Sequence, residues 1–157
     1  MNIYVIAVGQ RLPRWIGEGY QEYARRLPQQ CSLQLVEIAP ARRGKSGHYT
    51  QWQQDEGRRL LAAVPPNSTV LACDERGQSW STEEVARRLQ IWMNEGQDVV
   101  LLIGGPDGLA PLCLERAAGL WSLSSLTLPH GLVRVILAEQ IYRAFSLLNH
   151  HPYHRAS

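Results

Sequence analysis

The sequence has little cysteine. Cys31, Cys73 and Cys113 are the only three in 157 residues; they lie far apart and no Cys-x-x-Cys pair occurs. The odd count and wide spacing argue against a disulfide scaffold and a zinc site. Small buried thiols in a reducing cytoplasm are expected instead, with no metal. Charge is sparse as well. Charged residues make up 19% of the chain and the net charge is +2, too mild to mark a nucleic-acid binder alone. No apolar run reaches the roughly eighteen residues of a membrane span. Met1-Asn2-Ile3-Tyr4 lacks a basic stretch, and the apolar run after it stops at Gly9, so no signal peptide is expected.

Several familiar motifs are missing too. No Gly-Lys-Ser/Thr follows the glycine turn at Gly104, and no Gly-x-Gly-x-x-Gly opens an early βαβ unit. No Gly-x-Ser-x-Gly surrounds Ser124 or Ser125, which argues against a serine hydrolase.

The chain does have enough apolar residues, 45%, to bury a core as one domain over 1–157. Ile3 to Val8 reads as a buried strand ended by Gly9. Pro13 opens a helix running to about Leu27. Leu33 to Ile38 is a second strand, and Thr50 caps a helix that continues to Val64. Thr69 to Cys73 is a third strand, followed by an Asp74-Glu75-Arg76-Gly77 turn. Ser81 and Glu84 form a capping box for a helix to about Asn94, with Gly96 beyond. Val99 to Ile103 is the fourth strand. Pro111 starts a short helix ending near Gly119, Leu123 to Leu128 is the fifth strand, and Leu132 to Leu148 is the last helix. This alternation predicts a three-layer α/β domain with a mostly parallel sheet.

The last helix is apolar on most faces, so it must be buried on most faces. A second copy of the chain is the expected partner, with Ile136 and Ile141 in the two-fold interface. The competing reading is a central helix wrapped by its own domain.

Two loops at the ends of strands hold the chemistry. Gly104-Gly105-Pro106-Asp107-Gly108 lets backbone approach a ligand closely, although by spacing alone it is only a tight turn. Leu123-Ser124-Ser125-Leu126-Thr127-Leu128 brings hydroxyls to the second loop and ends at His130. Arg42, Arg43 and Lys45 form a basic spot suited to RNA phosphates, or merely a solvated face. The tail has His150, His151 and His154 within five residues, but no Cys or Asp cluster elsewhere to complete a metal site. A short tail ordinarily frays. This one combines Tyr153, His154 and Arg155, which can stack on a base, move a proton and hold a phosphate.

Taken together, Leu101 to Gly108, Trp121 to His130, Val133-Arg134-Val135, Ala138-Glu139-Gln140-Ile141-Tyr142-Arg143-Ala144 and Asn149 to Arg155 closely resemble the bacterial 23S rRNA pseudouridine N3-methyltransferases of the SPOUT family. Ala7-Val8-Gly9 and the Arg42-Arg43-Gly44-Lys45 loop fit the same pattern, so the resemblance covers essentially the whole chain. It implies a C-terminal trefoil knot, which fold rules alone would argue against. It implies S-adenosylmethionine as cofactor, bound near Cys73, Gly104, Gly105, Leu123, Ser124, Ser125, Leu126, Thr127 and Leu128. Position 73 is expected to carry a larger residue such as Leu, so Cys73 departs from the pattern. The resemblance further implies a cytoplasmic homodimer acting on 23S rRNA within the ribosome. His130, Tyr153, His154 and Arg155 are then the candidates for catalysis, with the tail expected to close over the cofactor as a lid. A non-catalytic RNA- or ribosome-binding factor is the competing function.

Overall fold

The computed structural model describes residues 1–44 and 47–154, with the backbone alone at His154. Five strands, β1 (Asn2–Val8), β2 (Ser32–Ile38), β3 (Thr69–Ser79), β4 (Val99–Ile103) and β5 (Gly119–Ser122), form one sheet in the order β2-β1-β4-β3-β5. All pairings are parallel. The sheet is covered on both faces, as all-parallel sheets require.

Alternation along the strands deals residues to two cores. Ile3, Val5 and Ala7 of β1, with Val99, Leu101 and Ile103 of β4, face one side. They meet α1 (Arg14–Ala24), α3 (Thr82–Glu95) and α5 (His130–Leu148) there. Ile6, Val8, Val100 and Leu102 face the other side, against Leu60 of α2 (Tyr49–Ala62) and Cys113 of α4 (Pro111–Arg116). The expected three layers are therefore present. α3 starts as its capping box predicts: the Ser81 hydroxyl accepts from the Glu84 amide at 3.1 Å. Gly96 closes it at φ 68°.

Several element boundaries differ from expectation; α1 stops at Ala24, short of Leu27, and α4 at Arg116, short of Gly119. Asp74 to Gly77 is not a turn; β3 continues through it to Ser79, with a bulge where β5 pairing skips from Cys73 to Gln78. A Cβ at Gly77 would come within 2.5 Å of the Leu120 carbonyl, so only glycine admits this approach of strands. The fifth strand is Gly119–Ser122, not Leu123 to Leu128. Beyond it the hydroxyls fold the backbone on itself: Ser122 donates to the Ser124 carbonyl at 2.9 Å, and the Leu126 amide donates to Ser124 Oγ at 2.9 Å. Such local bonds compete with a sheet ladder. Finally, His48 and not Thr50 precedes α2 as its cap residue.

α5 crosses the sheet face with its core positions Leu137, Ala138, Ile141 and Ala144 fully buried between α1 and α3. Ile141 thus belongs to the chain's own core, not to an interface, which corrects the expectation for it. Leu132, Val133, Val135 and Ile136 remain half-buried.

Candidate active site

The bulged middle of β3, the carboxyl ends of β4 and β5 and the first turn of α5 enclose a cavity of about 570 Å³. That is within the roughly 300–1,000 Å³ typical of small-molecule sites. Cys73 to Arg76 form one wall, Ile103 to Leu109 a second, and Trp121 with the segment after β5 a third. His130 and Val133 of α5 close it. Leu123, Ser124, Leu126, Thr127 and Leu128 line it as expected; Ser125 is exposed and is not among the lining residues.

The turn after β4 is closed by a bond from the Gly108 amide to the Gly105 carbonyl at 2.9 Å. A Cβ at Gly104 would lie 2.6 Å from the Gly108 carbonyl carbon, so the turn packs against itself there. A Cβ at Gly105 would meet Val8 Cγ1 at 3.0 Å and Glu56 Oε1 at 3.2 Å. The empty side of Gly105 thus faces the core and not a ligand. The pair lines the cavity through its backbone.

Arg43 is committed to this turn. Its Nη1 donates to the Asp107 carboxylate at 2.5 Å, its Nη2 lies 3.5 Å from Glu56, and its guanidinium is 4.9 Å from the centre of the Trp52 ring. It is not a freely solvated cation. Arg42 is exposed. Lys45 lies outside the described residues, as do Arg155 and the side chain of His154.

Burial pushes the Cys73 thiol up to about 12, with Asp74 adding to the effect. Asp74 is held below the usual carboxylate range by its hydrogen bond with Arg76. His130 is lowered from its ordinary value, first by burial and then by the Arg134 cation, with Glu56 opposing. The cavity therefore presents a neutral imidazole and a neutral thiol.

The described part of the tail does not lie over this cavity. Pro152–His154 form a single 3₁₀ turn against α5. The Tyr153 ring centre is 4.7 Å from that of Tyr142 and 6.4 Å from that of Tyr23, and the Arg143 guanidinium lies 5.0 Å from it. Tyr142 is twelve residues along α5 from His130, about 18 Å at 1.5 Å per residue. Within one chain Tyr153 cannot serve in the lid expected of the tail, because α5 holds it at the far end.

Residues 1–154 match the family model described as "Predicted SPOUT methyltransferase". The chain belongs to the SPOUT methyltransferase family. It is 93% identical over 157 residues to "Ribosomal RNA large subunit methyltransferase H" of Nitrosococcus oceani, covering 100% of both chains. It is 54% identical over 155 residues to the protein of the same name from Methylococcus capsulatus, covering 99% of this chain and 100% of that one. A solved structure described as "a probable methylase family protein from Haemophilus influenzae Rd KW20" aligns with a TM-score of 0.57 at 12% identity, covering 98% of this chain and 70% of that one. That last likeness bears on the fold alone.

In this SPOUT methyltransferase the two expected loops and His130 do meet at one cavity. Glu75, Arg76, Asp107 and Trp121 line it as well and were not anticipated. For Glu75 and Arg76 a signal existed: charged residues directly after an apolar run mark where a strand leaves the core, here at the bulge in β3. Gln53 had none. It enters from α2, where its side-chain amide donates to the Asp107 carbonyl at 2.7 Å across 54 positions.

Proposed function

We propose that this chain transfers a methyl group from S-adenosylmethionine to N3 of a pseudouridine in a 23S rRNA stem-loop, on assembled ribosomes in the cytoplasm. The observation that carries the reading is the 93% full-length likeness to a protein named for methylation of large-subunit rRNA. The cavity fits the cofactor. Ile103, Leu109, Trp121, Leu123 and Leu128 offer an apolar slot for a purine, and backbone groups of the two loops border it. Glu75, which accepts from the Thr127 hydroxyl at 3.0 Å, would hold ribose hydroxyls, and Cys73 would add a neutral contact. When bound, the cofactor supplies a methyl group already activated by a positive sulfur.

The chain must then supply alignment and a proton acceptor. N3 of a uracil-type ring carries a weakly acidic proton. His130, neutral at the cavity wall, accepts it. The ring left behind is anionic, and Arg155 of the tail neutralises it while Tyr153 and His154 position the base. Because Tyr153 packs on Tyr142, about 18 Å along α5 from His130 in one chain, the tail completing each cavity comes from a second copy. The homodimer forms through the half-buried outer side of α5, with Ile136, and through Trp15 of α1, which is 57% exposed. The unit spans residues 1–157, and its segment from β4 through α5 is threaded as the family's trefoil knot. Arg42 and Lys45 contact RNA phosphates, with Arg43 shared between RNA and the cofactor turn.

A tritiated-methyl assay on ribosomes from a strain lacking this modification tests the reading. Label incorporated at a single pseudouridine supports it. RNA binding with no methyl transfer would replace it with a non-catalytic ribosome-binding factor.

A further inference from the structure

We propose that Arg134 is a positioning residue that keeps His130 neutral and fixed at the cavity wall. The inference rests on the assignment of His130 to the methyl-transfer site.

Arg134 lies one turn beyond His130 on the same side of α5. It is 1% exposed. Its Nη1 donates to Glu37 Oε2 at 2.7 Å, and its Nη2 donates to the Gly9 carbonyl at 2.9 Å and the Val8 carbonyl at 3.4 Å. One side chain thus ties α5 to the carboxyl ends of β1 and β2. A Cβ at Gly9 would meet Arg134 Nη2 at 3.3 Å and His130 Cε1 at 3.4 Å. The cation and the imidazole therefore rest against the same glycine. His130 Nδ1 and Arg134 Nε are both buried and make no hydrogen bond.

This is an expensive arrangement if its purpose is stability. A buried ion pair is often no better than apolar packing at the same place. Its consequence for the neighbour is specific. A fixed cation repels an imidazolium and leaves a neutral imidazole untouched. Other ionisable groups face this corner: Glu37 from β2, Glu56 from α2, Tyr20 from α1, and Asp107 across the cavity. Glu56 opposes Arg134, but it accepts from the Ala41 amide at 3.0 Å and lies 3.5 Å from Arg43. Asp107 is paired with Arg43. The tyrosine stays protonated, since burial raises it well above its ordinary value. Among the described residues, Arg134 is the cation that rests against the same glycine as His130, and its pairing with Glu37 tempers but does not remove its effect on the imidazole.

The test is the titration of His130 followed by NMR in the full-length protein, with the pH profile of methyl transfer beside it. Arg134→Met should move the His130 midpoint up by about one pH unit, and Arg134→Lys should hold it near the wild-type value. Glu37→Gln leaves the guanidinium without its counter-charge and should move the midpoint the opposite way. This milder variant decides the matter if Arg134→Met does not fold. An unchanged His130 midpoint in folded Arg134→Met, or in Glu37→Gln, overturns the proposal. A midpoint that moves while the acid limb of kcat/KM stays still supports the hold of Arg134 on the imidazole and removes His130 from the role of base.

Discussion

Arg43 and Asp107, 64 positions apart, are joined by a 2.5 Å hydrogen bond that ties the loop before α2 to the turn lining the cavity. A cation expected to meet RNA phosphates or to sit on a solvated face therefore braces, from outside, the turn that lines the cavity. Replacing Arg43 with Ala removes that bond, the contact to Glu56 and the stacking on Trp52. S-adenosylmethionine affinity should fall about tenfold, or roughly 1.4 kcal/mol. Arg42→Ala should weaken ribosome binding and leave the free-cofactor affinity alone. Calorimetry on both variants separates the two roles; equal cofactor affinities would mean that the Arg43 bond to the turn does not shape the cofactor site.

The surroundings of Gly105 change what its substitution should do. A valine there would press on Val8 and the Glu56 carboxylate in the core before it reached any ligand. Overpacking of this kind costs about 1–3 kcal/mol. Gly105→Val should lower the thermal midpoint by several degrees as well as weaken cofactor binding. A variant that melts like wild type but binds no cofactor would mean the side chain enters the cavity after all.

The sequence was most readable where signals are local. The Ser81–Glu84 capping box, the Gly96 stop and the period-2 burial of β1 and β4 all follow from neighbours in the chain. It was misread where hydroxyls compete with a ladder, as at Ser122 to Leu126, and where charge hides a strand, as at Asp74 to Gly77. The cavity's location was legible from glycine and serine loops after apolar runs. The Arg134–Glu37 pair, 97 positions apart, and the place of the tail were not, because nothing in the local pattern encodes a contact made by tertiary packing.

The two isoleucines of α5 should separate folding from assembly. Ile141 is fully buried between α1 and α3, so Ile141→Asp places an unpaired charge in the core and should prevent folding. Ile136 is half-buried on the outer side, so Ile136→Asp should give a folded monomer. Circular dichroism and light scattering read the two outcomes. A folded Ile136→Asp dimer with wild-type affinity would place the interface on another surface.

The thiols should be inert. Burial pushes Cys31 and Cys113 up to about 11 and Cys73 to about 12. The thiolate is the reactive form, so alkylation by iodoacetamide at pH 8 should run at least about a hundredfold slower than for a free cysteine. Rates should rise with pH and on unfolding. Mass spectrometry would identify any site that reacts at once in the native protein, and fast labelling at Cys73 would contradict the neutral thiol assigned to the cavity wall.

The distance between His130 and the tail gives the sharpest test of a shared site. Truncation after Asn149 removes Tyr153 from its packing on Tyr142 but leaves α5 and its core positions intact. The shortened chain should dimerise and bind cofactor yet transfer no methyl group. His130→Ala with an intact tail should also be inactive or nearly so. If each cavity draws its tail from the other copy, mixing the two dead proteins after unfolding and refolding restores one complete site per mixed dimer. Random assembly then gives about a quarter of wild-type activity. If each chain closes its own cavity, no mixture of the two recovers any, because every site lacks either the histidine or the tail.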